Sequence, residues 1–233
     1  MFRALTVSRE YGSGAGTIAR LIAGRLRWSL LDEALVREIA RSAHVDAKIV
    51  ERCDERVDSW WHRFNRGGLQ AAGIEAGIVP ADVQFFDAER VASIAEQVIG
   101  NAAASGNCVI VGRGAQCVLQ SRTDVFHVFI YAPLDQRIAR VRGRMRSTDD
   151  VEELIRRTDD ERAACVRTYF GCHWKDPHLY SLMISSENGL ENTAAIIVDA
   201  LERVRRTRDT TQPAPQARQS SLVLPRDTVL PHP

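Results

Sequence analysis

Three groups of residues in this 233-residue chain have the types and spacing to handle a phosphate group. The first is the stretch Ser8-Arg9-Glu10-Tyr11-Gly12-Ser13-Gly14-Ala15-Gly16-Thr17. Gly12, Gly14 and Gly16 allow successive backbone N–H groups to converge as an anion nest. A helix beginning near Thr17 adds its positive end. The Thr17 hydroxyl can meet phosphate or, through water, magnesium. The second group is Asp32 and Arg113, each placed just after a strand-like run, at the edge where sheet proteins hold ligands. The third is Arg157-x-Asp159-x-x-Arg162, within a helical run where Asp159 and Arg162 share a face at i,i+3. Guanidinium groups of this kind neutralise charge in phosphoryl transfer.

Each group has a plainer reading. The phosphate-loop pattern G-x-x-x-x-G-K-[ST] is not met in any register, because no lysine stands beside the glycines. The loop also reads as a structural strand-to-helix turn, Arg113 as one half of a salt bridge, and the third group as a solvated charged helix. Only Lys48 and Lys175 are lysines, so a phosphate clamp here would rely on arginine. Arg9 is the nearest candidate for the missing charge, and Arg20 a weaker one. The replacement is imperfect, since a planar fork does not act as a point charge.

The elements that must position these groups follow from periodicity. Apolar runs at 2–8, 28–31, 107–111, 125–131 and 181–185 predict strands. The runs "CVIV" and "VFHVFIY" are nearly continuous, which suits strands covered on both faces of a parallel sheet. Helical spacing appears over 17–26, 33–42, 88–104, 134–146, 151–169 and 190–206. The alternation predicts a three-layer α/β fold. Residues 44–87, with Trp60-Trp61 and Gly67-Gly68, predict a helical insertion. Residues 147–178 form the region around the third group. From about 207 a Pro-rich tail holds five of the eight prolines and is expected to be disordered. The arginines at 140, 142, 144 and 146 fall on different helix faces and read mostly as surface.

Composition excludes several roles. A net charge of +1 creates no global field for nucleic acid or an acidic membrane. No apolar run approaches the ~20 residues that span a bilayer. The five cysteines lack CxxC spacing and predict reduced thiols; with no leader layout, the expected location is cytoplasmic. A homo-oligomer is compatible with all of this.

Read together, "TVSREYGSGAGTIARLIAGRL", "LLDEALVREIA", "VIVGRGAQCVL", "VFHVFIYAPLDQRIARV" and "RRTDDERAACVRTYFGCHWKDPHLYSLMISS" resemble the cytidylate kinase-like family over roughly residues 3–200. The resemblance implies a P-loop NTPase fold with a central parallel five-stranded sheet, a nucleoside-monophosphate-binding type of helical insertion and a helical lid, all within residues 1–206. It implies ATP and magnesium as cofactors and nucleotides as substrates, with CMP or dCMP the first acceptor. Residues 12–17 would hold the donor phosphates, with Arg9 supplying charge. Asp32, Arg37, Arg113 and Asp159 would meet the acceptor, and Arg157 and Arg162 the phosphoryl group in transfer. The chain departs from cytidylate kinases in three places. The loop lysine is absent, Gly114 stands where a Gly-Arg-Asp motif has aspartate, and Tyr131 stands where aspartate is usual. A nucleotide sensor with little catalysis, or a kinase of another small metabolite, would satisfy the same features.

Overall fold

The computed structural model describes residues 1–32, 42, 88–144 and 150–211. The expected 33–42 helix (Ser42 apart), the 44–87 insertion, Arg37, residues 145–149 and the tail beyond Thr211 lie outside the described residues. The described strands are β1 (Ala4–Arg9), β2 (Ser29–Leu31), β3 (Cys108–Val111), β4 (Val125–Tyr131) and β5 (Leu182–Ser185). They form one sheet in the order β2-β3-β1-β4-β5, and every pairing is parallel. Leu5 of β1 lies opposite Val109 on one side and Phe126 on the other.

The described helices are α1 (Ala15–Leu26), α2 (Ala88–Ser105), α3 (Ala115–Val118), α4 (Leu134–Arg142), α5 (Val151–Phe170) and α6 (Leu190–Thr211). Alternation along the strands decides which helices cover which face. Leu5, Val7, Val109, Val128 and Ile130 pack with Ile18 and Ile22 of α1 and Ile197 and Leu201 of α6. Ala4, Cys108 and Ile110 face Ala95, Ile99 and Ala103 of α2. Phe129 packs with Val166 of α5, Cys172 and Trp174. Each fully buried isoleucine contributes about 1.5–3 kcal/mol relative to exposure.

The element boundaries carry physical reasons. Gly14, at φ 81°, caps α1, and its carbonyl accepts the Thr17 and Ile18 N–H groups at 3.1 and 3.2 Å. Asp150 caps α5 by accepting the Glu152 and Glu153 N–H groups. Helix α4 ends at Arg142 rather than Arg146, because Gly143 closes it through a bond to the Ala139 carbonyl. Helix α6 runs to Thr211 rather than stopping at Arg206. Arg208 holds that extra length: it donates to the Thr123 carbonyl and lies 4.6 Å over the Phe2 ring. Helix α3, which periodicity did not predict, is a four-residue turn after Gly114.

β1 stands at the point where the sheet changes direction. From it β3 and β2 extend one way, and β4 and β5 the other. The carboxyl end of β1 therefore opens at the crevice where open α/β sheets bind ligands. The glycine loop occupies that end.

Candidate functional site

The loop is anchored through its carbonyls. Ser186 Oγ–H donates to the Ser13 carbonyl at 2.6 Å. The Arg140 guanidinium donates to the same carbonyl at 3.2 Å, to the Ser186 hydroxyl at 3.1 Å and to the Ser186 carbonyl at 3.2 Å. Arg140 is thus a loop anchor, which corrects its reading as a surface residue. Gly12 and Gly14 both have positive φ, 80° and 81°, and both are closely backed. A Cβ on Gly14 would lie 2.6 Å from Leu190 Cδ2, and one on Gly12 would lie 3.0 Å from the Arg137 carbonyl. Gly16 differs, since nothing stands within 4 Å of where its Cβ would be.

The carbonyls of the loop are taken, and so are the N–H groups of Tyr11, Ser13 and Thr17, but four further amides are not. Among the described residues, no protein acceptor takes the N–H groups of Gly12, Gly14, Ala15 or Gly16. The Ser13 hydroxyl is buried and also has no hydrogen-bond partner among them. Orphaned donors of this kind are costly unless something receives them. Four amides at the start of α1 and a buried hydroxyl make a donor set of the chemistry that accepts polyphosphate. Thr17, half-buried in the first turn, suits a water-bridged magnesium.

Arg137, in the first turns of α4, was not expected at the site. Its side chain is only 8% exposed. The guanidinium donates through Nε to the Tyr11 carbonyl at 2.7 Å and through Nη1 to Glu10 Oε2 at 3.0 Å, and it pairs through Nη2 with Asp159. Glu10 Oε1 meets Lys175 at 2.7 Å. Asp159 accepts the Tyr11 N–H at 2.8 Å. Burial pushes the Asp159 carboxyl up, while the Tyr11 amide and the Arg137 and Arg162 guanidiniums oppose that. The available signal for Arg137 and Arg140 was their i,i+3 spacing directly after the strand beside β1, which aims both at the loop.

The remaining expected residues divide. Arg162 reaches the loop: its guanidinium lies 5.5 Å over the Tyr11 ring and donates to the Arg9 carbonyl at 3.4 Å. Arg157 does not. It is 56% exposed, with Nε 3.9 Å from Glu161 on the outer face of α5. Arg9 Nη1 lies 2.7 Å from the Cβ position of Gly112, so this side chain sits over the turn after β3. Arg113 occupies that turn at φ 60°, between Gly112 and Gly114 at 71° and 68°. Asp32 follows β2 at the same sheet edge, half-buried. The Phe170 ring stands against Gly114, with Cδ2 2.5 Å from the Cβ position, so the turn as folded has no room for an aspartate there.

A five-stranded parallel sheet, a glycine loop after its central strand and a helix carrying arginine over that loop define a three-layer α/β P-loop fold. Solved structures share it. An uncharacterized protein from Eubacterium ventriosum superposes with a TM-score of 0.62 at 17% identity, over 86% of this chain and 98% of that one. A gluconokinase from Sinorhizobium meliloti gives 0.51 at 12% identity, over 90% and 98%. The profile of the cytidylate kinase-like family matches residues 4–188, and the chain belongs to that family. A cytidylate kinase of Methanosarcina mazei is 32% identical over 83 residues, which span 35% of this chain and 46% of that relative's length.

Proposed function

We propose that the protein is a phosphotransferase that moves the ATP γ-phosphoryl group to a nucleoside monophosphate, with CMP or dCMP the first acceptor. The observation that carries this is the donor set of the loop: amides of Gly12, Gly14, Ala15 and Gly16 with no protein acceptor among the described residues, beside a buried Ser13 hydroxyl. Family membership over residues 4–188 supports it.

Bound ATP with its magnesium supplies the transferable phosphoryl group. The loop amides orient the donor, and the Thr17 hydroxyl holds the metal's water shell. Arg113, at the β3 turn, meets the acceptor phosphate with Arg37, Asp32 meets the acceptor nucleotide away from its phosphate, and Arg9, over the same turn, supplies charge in place of the absent loop lysine. Arg162 enters from α5 and neutralises charge as the loose transition state develops. Arg157 joins it by swinging off Glu161, since an exposed pair of that kind is worth only about 0–1 kcal/mol. No general base is needed, because the attacking atom is already a phosphate oxygen.

The test is a coupled ADP-release assay with MgATP against the common nucleoside monophosphates, run beside a thermal-shift screen of the same ligands. Turnover with a pyrimidine monophosphate is expected. Stabilisation by nucleotides without turnover would instead establish the sensor reading, which the lysine-free loop favours. A nucleotide panel silent in both assays would overturn the proposal.

A further inference from the structure

The Arg137 cluster has a geometry that simple ion pairing does not require. Asp159 accepts the N–H of Tyr11, and Arg137 donates to its C=O. One ion pair between α4 and α5 thereby holds both backbone groups of a single loop residue. Glu10 braces Arg137 from the loop side and is itself held by Lys175. The Tyr11 ring, fixed by this clip, carries the Arg162 guanidinium 5.5 Å above it, and Arg162 also lies 3.8 Å from Asp159. Every part of this chain is protein, so α5 docks on the loop without help from a ligand.

We infer that Arg137 and Asp159 are positioning residues: together they clip Tyr11 of the phosphate loop to helix α5 and so preset Arg162 beside the loop before nucleotide arrives. This rests on the phosphotransferase reading above for its consequence in turnover, and it gives Asp159 a task other than meeting the acceptor. A buried ion pair is weak evidence for stability by itself, because apolar residues often replace one without loss. Its value here is register. The planar fork reaches Tyr11, Glu10 and Asp159 from three separate nitrogens; the three donors of an ammonium all sit on one nitrogen and do not reproduce that spread. Presetting Arg162 removes the ordering of a long side chain from the reaction step.

The experiment uses the full chain with Arg137→Lys and Asp159→Asn. Hydrogen exchange of the peptide covering residues 9–18 is measured without nucleotide, and steady-state kinetics with MgATP and whichever monophosphate turns over. Both variants should exchange that peptide at least ~10-fold faster than wild type, since the opening is local. The kcat should fall at least ~10-fold while the KM for ATP changes by less than ~3-fold, the pattern of an interaction made in the transition state. The pH profile adds a readout that a merely structural pair would not move. Asp159 faces Arg137 from α4 and Arg162 on its own helix, with Glu10 and Lys175 behind Arg137. Because burial raises this carboxyl, wild-type kcat should fall along an acid limb that lies above the ordinary aspartate range, and Asp159→Asn should lack that limb. Should Arg137→Lys fail to fold, Asp159→Asn decides the matter, since Glu10 still pairs Arg137 there. Unchanged exchange of residues 9–18, or unchanged kcat, would overturn the clip. If wild type turns over no acceptor, the phosphotransferase reading falls, while the nucleotide-free exchange measurement still decides the clip.

Discussion

Gly14 and Gly16, two residues apart, should respond in opposite ways to the same added methyl. Gly14→Ala places a Cβ on a backbone at φ 81°, 2.6 Å from Leu190 Cδ2. A left-handed conformation costs an L-residue about 1–2 kcal/mol. Crowding adds about 1–3 kcal/mol, reduced where the far end of Leu190 yields. The sum is roughly 2–4 kcal/mol, or a Tm lower by about 5–15 °C for a chain of this size. Gly16→Ala meets nothing within 4 Å and sits in a helix. Alanine there is favoured by up to ~1 kcal/mol, so Tm should rise by about 2–4 °C. Yet that methyl enters the open side of the loop, where polyphosphate must approach the amides. Losing one charge-assisted hydrogen bond costs about 1.5–3 kcal/mol, or ~10- to 100-fold in MgATP affinity. Differential scanning fluorimetry and isothermal titration calorimetry on both variants read the two effects separately. A Gly16→Ala protein that is more stable and binds MgATP like wild type would refute the reasoning.

Arg162→Ala should lose most turnover, by ~10³ or more if it acts on transition-state charge, while MgATP affinity stays near wild type; steady-state and binding measurements together check this. Gly114→Asp should destabilise the fold by roughly 2–4 kcal/mol in urea titrations, because the residue needs φ 68° and the Phe170 ring fills its side-chain space. Most of the crowding share should vanish in a Phe170→Ala background, and strict additivity would contradict the contact. His127 is buried 2.7 Å from Thr6 Oγ1, and burial lowers its pKa. Its folded pKa thus lies below the unfolded value of about 6.5, so its contribution is complete above that pH and declines as pH falls towards the lowered value. Urea midpoints at pH 7.5 and 5.5, both ordinary assay conditions at about one unit either side of that value, should converge in His127→Gln relative to wild type.

Much of the fold could be read from residue order. The runs at 107–111 and 125–131 are apolar on both faces because helices cover both, and they became β3 and β4 almost as bounded. The glycine loop was visible because three glycines at alternate positions stand between a strand and a helix. What stayed hidden depended on tertiary neighbours. Arg137 and Arg140 look like any arginines on a charged helix until β4 places that helix beside the loop. Glu10 reads as a polar loop residue, yet it is largely covered and held between Arg137 and Lys175. Arg157 and Arg162 belong to one short pattern, but five residues of helix turn them to different faces, and only Arg162 meets the loop. Gly114 reads in sequence as an aspartate position without its side chain; the Phe170 ring stands where that side chain would go, a contact no sequence pattern displays. The α6 end was misplaced because its anchor, Arg208 on Phe2 and Thr123, joins residues far apart in the chain.

The central claim is that the loop amides receive a polyphosphate. Titrating MgATP into uniformly ¹⁵N-labelled protein tests it most directly. Saturable shifts concentrated at Gly12, Gly14, Ala15, Gly16 and Thr17 are expected, with magnesium tripolyphosphate shifting the same amides and weakening the apparent affinity for MgATP. Shifts absent from those amides while nucleotide binds elsewhere, or no binding at millimolar MgATP, would contradict it.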